Sequence, residues 1–149
     1  MTGGAGFVGS NIVRRLLERG AFVVVLDDFF TGSEANLPQG ELKLEVVRGS
    51  VVDFELVRDM VKSASLVIHA AARNIIASTK NPRDDFETNI GGTLNVLMAA
   101  QGTGVRRVVY SSSASVYGNP RYLPINEDDG IDTLTPEQVK YMSSWSEGT

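Results

Sequence analysis

The chain has 149 residues, 42% of them hydrophobic, and carries a formal net charge of −4; this size and apolar content fit one globular domain and exclude a disordered chain. Lys and Arg are scattered rather than clustered, so nucleic acid is excluded as a partner. There is no cysteine, which removes disulfides and thiolate metal sites. No apolar run reaches the roughly 18 residues of a membrane span, so the expectation is a cytoplasmic protein with no metal and no membrane partner.

In chain order, the first element is a glycine loop, "MTGGAGFVGS" (1–10), with no apolar strand in front of it. It leads into "SNIVRRLLERG" (10–20), where Ile12, Val13, Leu16 and Leu17 form one stripe; the spacing predicts a helix from Ser10 or Asn11 that stops at Gly20. "AFVVVLDD" (21–28), "KLEVVRG" (43–49), "SLVIHAAA" (65–72) and "VRRVVYSSS" (105–113) are short, nearly continuous apolar runs rich in β-branched residues. Such runs predict parallel strands buried on both faces. "DFELVRDMVKS" (53–63) and "DDFETNIGGTLNVLMAAQGTG" (84–104) alternate with them and predict helices. The alternation predicts β-α-β units with right-handed crossovers, hence an α/β fold with an open parallel sheet covered on both faces. No repeat or linker interrupts the chain.

Gly3, Gly6 and Gly9 stand at G-x-x-G-x-x-G spacing directly before a helix. Glycines at those points allow a tight turn, close approach of a pyrophosphate to backbone, and close packing of helix on sheet, and the helix N-terminus favours the negative charge. The same glycines also fit a plain structural turn. Asp27 lies about 20 residues beyond the loop at the end of the next strand, where a dinucleotide fold places the carboxylate that accepts the adenosine ribose hydroxyls. It would repel the extra phosphate of NADP, and no Arg follows within several residues, so NAD is the expected cofactor. The alternative is that Asp27 and Asp28 are solvated turn residues before "FFTGS". Phe29 and Phe30 are expected to pack rather than to form an adenine platform, and His69, the single histidine, is expected to be a packed, hydrogen-bonded side chain.

The loop "TGGAGFVGS", the strand end "VLDD", the segment "VIHAAA", the helix "NIGGTLNVLMAA" and the stretch "VVYSSSASVYG" together resemble the extended short-chain dehydrogenase/reductases of the NAD-dependent epimerase/dehydratase group, which act on nucleotide sugars. The resemblance runs from residue 2 to about residue 136. It implies a Rossmann-like domain over 1–136, with Gly3, Gly6, Phe7, Val8 and Gly9 around the pyrophosphate. Asp27 would meet the ribose, and Ala70, Ala71, Ala72 and Ser111 would line the cofactor. Ser113 would be the catalytic serine that bonds the reacting sugar hydroxyl, with Asn89 at the edge of the active site and a nucleotide sugar as substrate. Serines at a strand end also cap turns, and that reading of Ser113 stays open.

Two departures from the family pattern stand out. The resemblance places a Tyr-x-x-x-Lys pair near "LTPEQVKYMSSW" (134–145), where the Tyr is the general acid/base and the Lys lowers its pKa. Here Glu137 occupies the Tyr position and Tyr141 the Lys position. Tyr141 is a poor substitute, because Trp145 stands one turn later and Lys140 points about 100° away. Residues 137–149 thus read as a divergent tail, and a catalytically inactive NAD-binding or assembly module is the alternative function. The second departure is that family members begin with a strand in the middle of the sheet and continue into a substrate-binding lobe, neither of which is expected here. Such a gap predicts either marginal stability, a sheet closed in another way, or a partner chain that fills it, with a homodimer as the simplest case.

Overall fold

The computed structural model describes residues 1–113. The chain divides into two compact units, Met1–Ser111 and Ser112–Thr149, and the fold below is that of the first. The expected domain limit at 136, the tail 137–149 and Tyr141 lie outside the described residues.

Four strands form as the apolar runs predict: β1 Val23–Asp27, β2 Leu44–Arg48, β3 Leu66–His69 and β4 Arg107–Tyr110. β1 pairs with β2 in parallel from Val23↔Leu44 to Asp27↔Arg48, and β3 pairs with β4 in parallel from Leu66↔Arg107 to His69↔Tyr110. Thr2 joins the two pairs through parallel bridges to both Leu26 and His69. The Leu26 N–H donates to Met1 O at 2.9 Å, the Gly3 N–H to Leu26 O at 2.9 Å, and the Thr2 N–H to Ile68 O at 2.9 Å. The order is therefore β2, β1, Met1–Thr2, β3, β4. The first strand expected to be absent is represented by its last rungs, enough to hold the two halves of the sheet in register. Beyond Met1 the space between β1 and β3 opens into a cavity of about 610 Å³ lined by Val23, Val24, Leu66 and Val67.

Side chains alternate across β1, and the two cores follow from that alternation. Val23 and Val25 pack with Val13 of helix α1 (Phe7–Glu18). Leu26 packs on the opposite face with Val57 and Val61 of α2 (Phe54–Val61) and with Val96 and Ala99 of α5 (Gly92–Ala100). Asp53 caps α2 by accepting the Leu56 N–H at 3.1 Å. The Asn95 amide ties α5 to the carbonyls of Val51 and Val52, both at 3.0 Å.

Three expectations need correction. Helix α1 begins at Phe7, not at Ser10 or Asn11: Gly6 is its extended N-cap, and Phe7 and Val8 are apolar but exposed, so the stripe conceals its first turn. The helix expected over 84–104 is divided into α4 (Pro82–Asp85), a π-helical turn (Phe86–Gly91) and α5, and is preceded by a short helix, α3 (Ile75–Lys80), where none was read. Finally, β2 and β4 are the outer strands of the described sheet and carry several exposed side chains; an apolar run does not distinguish an edge strand from a central one.

Candidate functional site

The loop from Gly3 to Gly6 turns from the centre of the sheet into α1. Gly3 has φ +67°, and a Cβ there would sit 2.6 Å from Ala71 N, so both its backbone angle and its neighbour demand glycine. A Cβ on Gly9 would stand 2.0 Å from Gly3 O, because the first turn of α1 lies directly on the loop. No side chain caps α1, so the amides of its first turn and the positive end of its dipole are left for a ligand's negative charge.

Asp27 ends β1 beside this loop. One carboxylate oxygen accepts the Ala5 N–H and the other the Phe29 N–H, each at 2.8 Å. The carboxylate thus braces the glycine loop and the turn after β1, where Phe29 has a φ of +58°. A carboxylate has about four acceptor positions, so two remain for further donors. Asp27 is largely buried, not a solvated turn residue. Gly3, Gly6, Asp27, Ala70, Ala71 and Ala72 all line one open groove at the C-terminal ends of β1 and β3, which encloses about 70 Å³. The connection after Met1–Thr2 runs to α1 on one face of the sheet and the connection after β3 runs to α5 on the other, so the groove lies at the switch point where open α/β sheets bind ligands.

The remaining residues fall elsewhere. Phe7 is 85% exposed and, like Val8 and Gly9, belongs to the first turn of α1 beside the groove rather than to its lining. Asn89 is engaged within the protein: its Oδ1 accepts the Arg73 N–H at 2.7 Å, while its Nδ2 donates to Arg73 O at 3.1 Å and to Asp85 Oδ1 at 2.5 Å. It braces the segment after β3. Ser111 extends β4 by donating its N–H to His69 O at 3.0 Å and is exposed. Ser113 is the last described residue and belongs to the second unit.

His69 is 1% exposed, and its ring lies between two hydroxyls, Thr2 Oγ1 at 2.6 Å from Nδ1 and Thr93 Oγ1 at 3.0 Å from Nε2. Because Thr93 donates its proton to Asn89 O at 2.6 Å, its oxygen accepts from Nε2–H, which leaves Nδ1 to accept from Thr2. Burial, assisted by the charge of the amino terminus, lowers the pKa of His69 below its ordinary value. The ring is a neutral structural link between the centre of the sheet and α5.

Sequence reasoning missed Arg73 and Thr88. Arg73 lines the groove and pairs with Asp28 Oδ2 at 2.8 Å and Asp84 Oδ2 at 2.7 Å, with its guanidinium 4.1 Å above the Phe30 ring. Burial opposes its charge, but the hydrogen bonds to Asp84 and Asp28 outweigh it and hold the pKa above its ordinary value. An arginine does stand near the end of β1, then, but two carboxylates already neutralise it. Phe29 packs partly into the α1 core and Phe30 lies exposed against Arg73.

Comparison with known proteins agrees with this geometry. A putative UDP-glucose 4-epimerase of Methanocaldococcus jannaschii is 38% identical over 139 residues, covering 91% of this chain and 45% of the relative. An epimerase structure from Methanothermobacter thermautotrophicus superposes with a TM-score of 0.75 at 38% identity, covering 98% of this chain and 47% of that one. The Thermus thermophilus UDP-glucose 4-epimerase in complex with NAD gives 0.74 at 34% identity, covering 98% and 50%. The chain spans less than half the length of the curated relatives it matches. The family model for the NAD dependent epimerase/dehydratase family matches residues 1–144, and with the Rossmann-type sheet and its glycine-lined groove, the chain belongs to that family.

Proposed function

We propose that this chain forms the NAD-binding part of an epimerase or dehydratase acting on a nucleotide sugar. The observation that carries the reading is that Gly3, Gly6, Asp27 and Ala70–Ala72, distant in sequence, line one groove beside the uncapped N-terminus of α1. These residues fit a dinucleotide: backbone without side chains for the pyrophosphate, a carboxylate with acceptor capacity for the ribose, and alanines that leave room for a flat ring. When bound, NAD would supply hydride-transfer chemistry at a sugar carbon. The chain's own part is to bind and orient. The α1 amides neutralise phosphate charge, Asp27 fixes the ribose, and the Asn89–Arg73 pairing holds the wall that follows β3.

A second reading, an NAD-binding or assembly module without turnover, is favoured by Glu137 and Tyr141 standing where the family's Tyr and Lys are expected. Calorimetric titration with NAD, using Asp27→Asn as the comparison, tests the shared step. Saturable binding weakened by the substitution supports it, and a folded chain that binds no NAD overturns it. Addition of a UDP-sugar then separates the readings, since reduced NAD detected by absorbance supports turnover and its absence supports the module.

A further inference from the structure

Thr88 lines the groove and is 2% exposed, and its Oγ1 is the buried side-chain polar atom left without a hydrogen-bond partner among the described residues. A threonine within a helix ordinarily donates to the carbonyl three or four residues back. Thr93 does so, bonding Asn89 O at 2.6 Å; Thr88 does not. An unpaired hydroxyl costs stability when buried, and here it sits in the π-helical turn Phe86–Gly91, a distortion frequent at functional sites. The polar side chains near it in this turn and in α5 are otherwise used, Asn89 by Arg73 and Asp85, and Thr93 by Asn89 and His69.

We propose that Thr88 Oγ1 is a hydrogen-bonding contact for the adenosine half of the bound dinucleotide, an inference that rests on the NAD reading. The groove that Thr88 lines is also formed by Asp27 at the end of β1 and by Gly49, Ser50 and Val51 after β2, and not by Asn89. Gly92, one helical turn after Thr88, lies against Val51, so Thr88 belongs to the part of the groove wall next to the segment after β2 and shares that groove with Asp27, the residue read as meeting the ribose.

The test is titration of the full chain with NAD and with ADP-ribose, for wild type, Thr88→Val, Thr88→Ala and Thr88→Ser. Both hydroxyl-free variants are expected to weaken both ligands by about three- to ten-fold, the equivalent of one hydrogen bond, and Thr88→Ser to keep wild-type affinity. Without ligand, Thr88→Val is expected to melt at or above the wild-type temperature, because it removes a buried unpaired group while keeping the shape. Wild-type binding of NAD with unchanged affinity in the hydroxyl-free variants overturns this inference and leaves the NAD reading standing. Weakening confined to NAD overturns the assignment to the adenosine half, and a wild type that binds neither ligand overturns both readings.

Discussion

Replacing Asp27 by Ala is expected to loosen the glycine loop before it affects any ligand. Its two oxygens each accept a backbone N–H at 2.8 Å, from Ala5 and Phe29, and hydrogen bonds to a charged acceptor contribute about 1.5–3 kcal/mol each. Ala5 is fully buried, so no water replaces its lost acceptor and that contribution counts in full. The Phe29 N–H is only partly buried and recovers roughly half by turning to solvent. The sum is about 2–4 kcal/mol, a large fraction of the roughly 5–15 kcal/mol that holds a domain. With a urea slope of about 2 kcal/mol per molar, the unfolding midpoint of the ligand-free chain should fall by about 1–2 M. Asp27→Asn keeps one acceptor oxygen and should lose about half as much. Circular dichroism in urea measures both. A midpoint for Asp27→Ala within about 0.3 M of wild type would refute the brace, and any loss of NAD binding would then belong to ligand contact alone.

Gly9→Ala is expected to destabilise by about 1–3 kcal/mol or more through overpacking, since its Cβ would stand 2.0 Å from Gly3 O; this outweighs the gain of about 1 kcal/mol that Ala normally brings to a helix, and thermal melts with NAD titration read both consequences. Arg73→Ala leaves the Asp28 and Asp84 carboxylates, paired at 2.8 and 2.7 Å, without their common cation; because water reaches both carboxylates, the expected loss is about 1–2 kcal/mol, and a urea midpoint equal to wild type would rule out the brace. Acid should weaken the fold through His69: its pKa is lowered in the native state, so the unfolded chain binds the proton first, and stability present above the unfolded value of about 6.5 declines as the pH falls through that value towards the lowered one. Urea midpoints at about pH 7.5 and 5.5 should differ in wild type and differ less in His69→Gln; equal slopes would show that other groups carry the dependence.

Local pattern made much of this legible. The strands were readable because Val and Ile runs have few alternatives, and the groove because Gly3, Gly6 and Asp27 carry their chemistry at fixed offsets. His69 was readable because an imidazole ending an apolar strand must find partners, and Thr2 and Thr93 supply them. The start of α1 was hidden because Phe7 and Val8 are apolar yet point outward. The π-helical turn was hidden because one widened turn scarcely changes the apolar spacing of a long helix. Arg73 meets Asp28 across 45 positions of sequence, and no offset rule reaches that far. Thr88 differs from an ordinary helical threonine only by a bond it does not make, which requires coordinates to see.

Three residues explain why a groove exists at all in a sheet assembled from two strand pairs. β1 and β3 do not bond to each other; Met1 and Gly3 bond to β1, the Thr2 backbone bonds to Ile68 and Ala70, and the Thr2 hydroxyl lies 2.6 Å from His69 Nδ1. The position of Asp27 relative to Ala70–Ala72, and so the width of the groove, is set through that short connection. A second tie, Arg73 to Asp28, joins the same two walls beyond the strand ends. One tie is backbone pairing inside the sheet, the other an ion pair at its rim, and they act at different depths. With the buried core that Leu26 of β1 and Val67 of β3 share, the two ties connect the groove walls at three levels, and a groove held in place before the ligand arrives lowers the cost of binding a long, flexible dinucleotide.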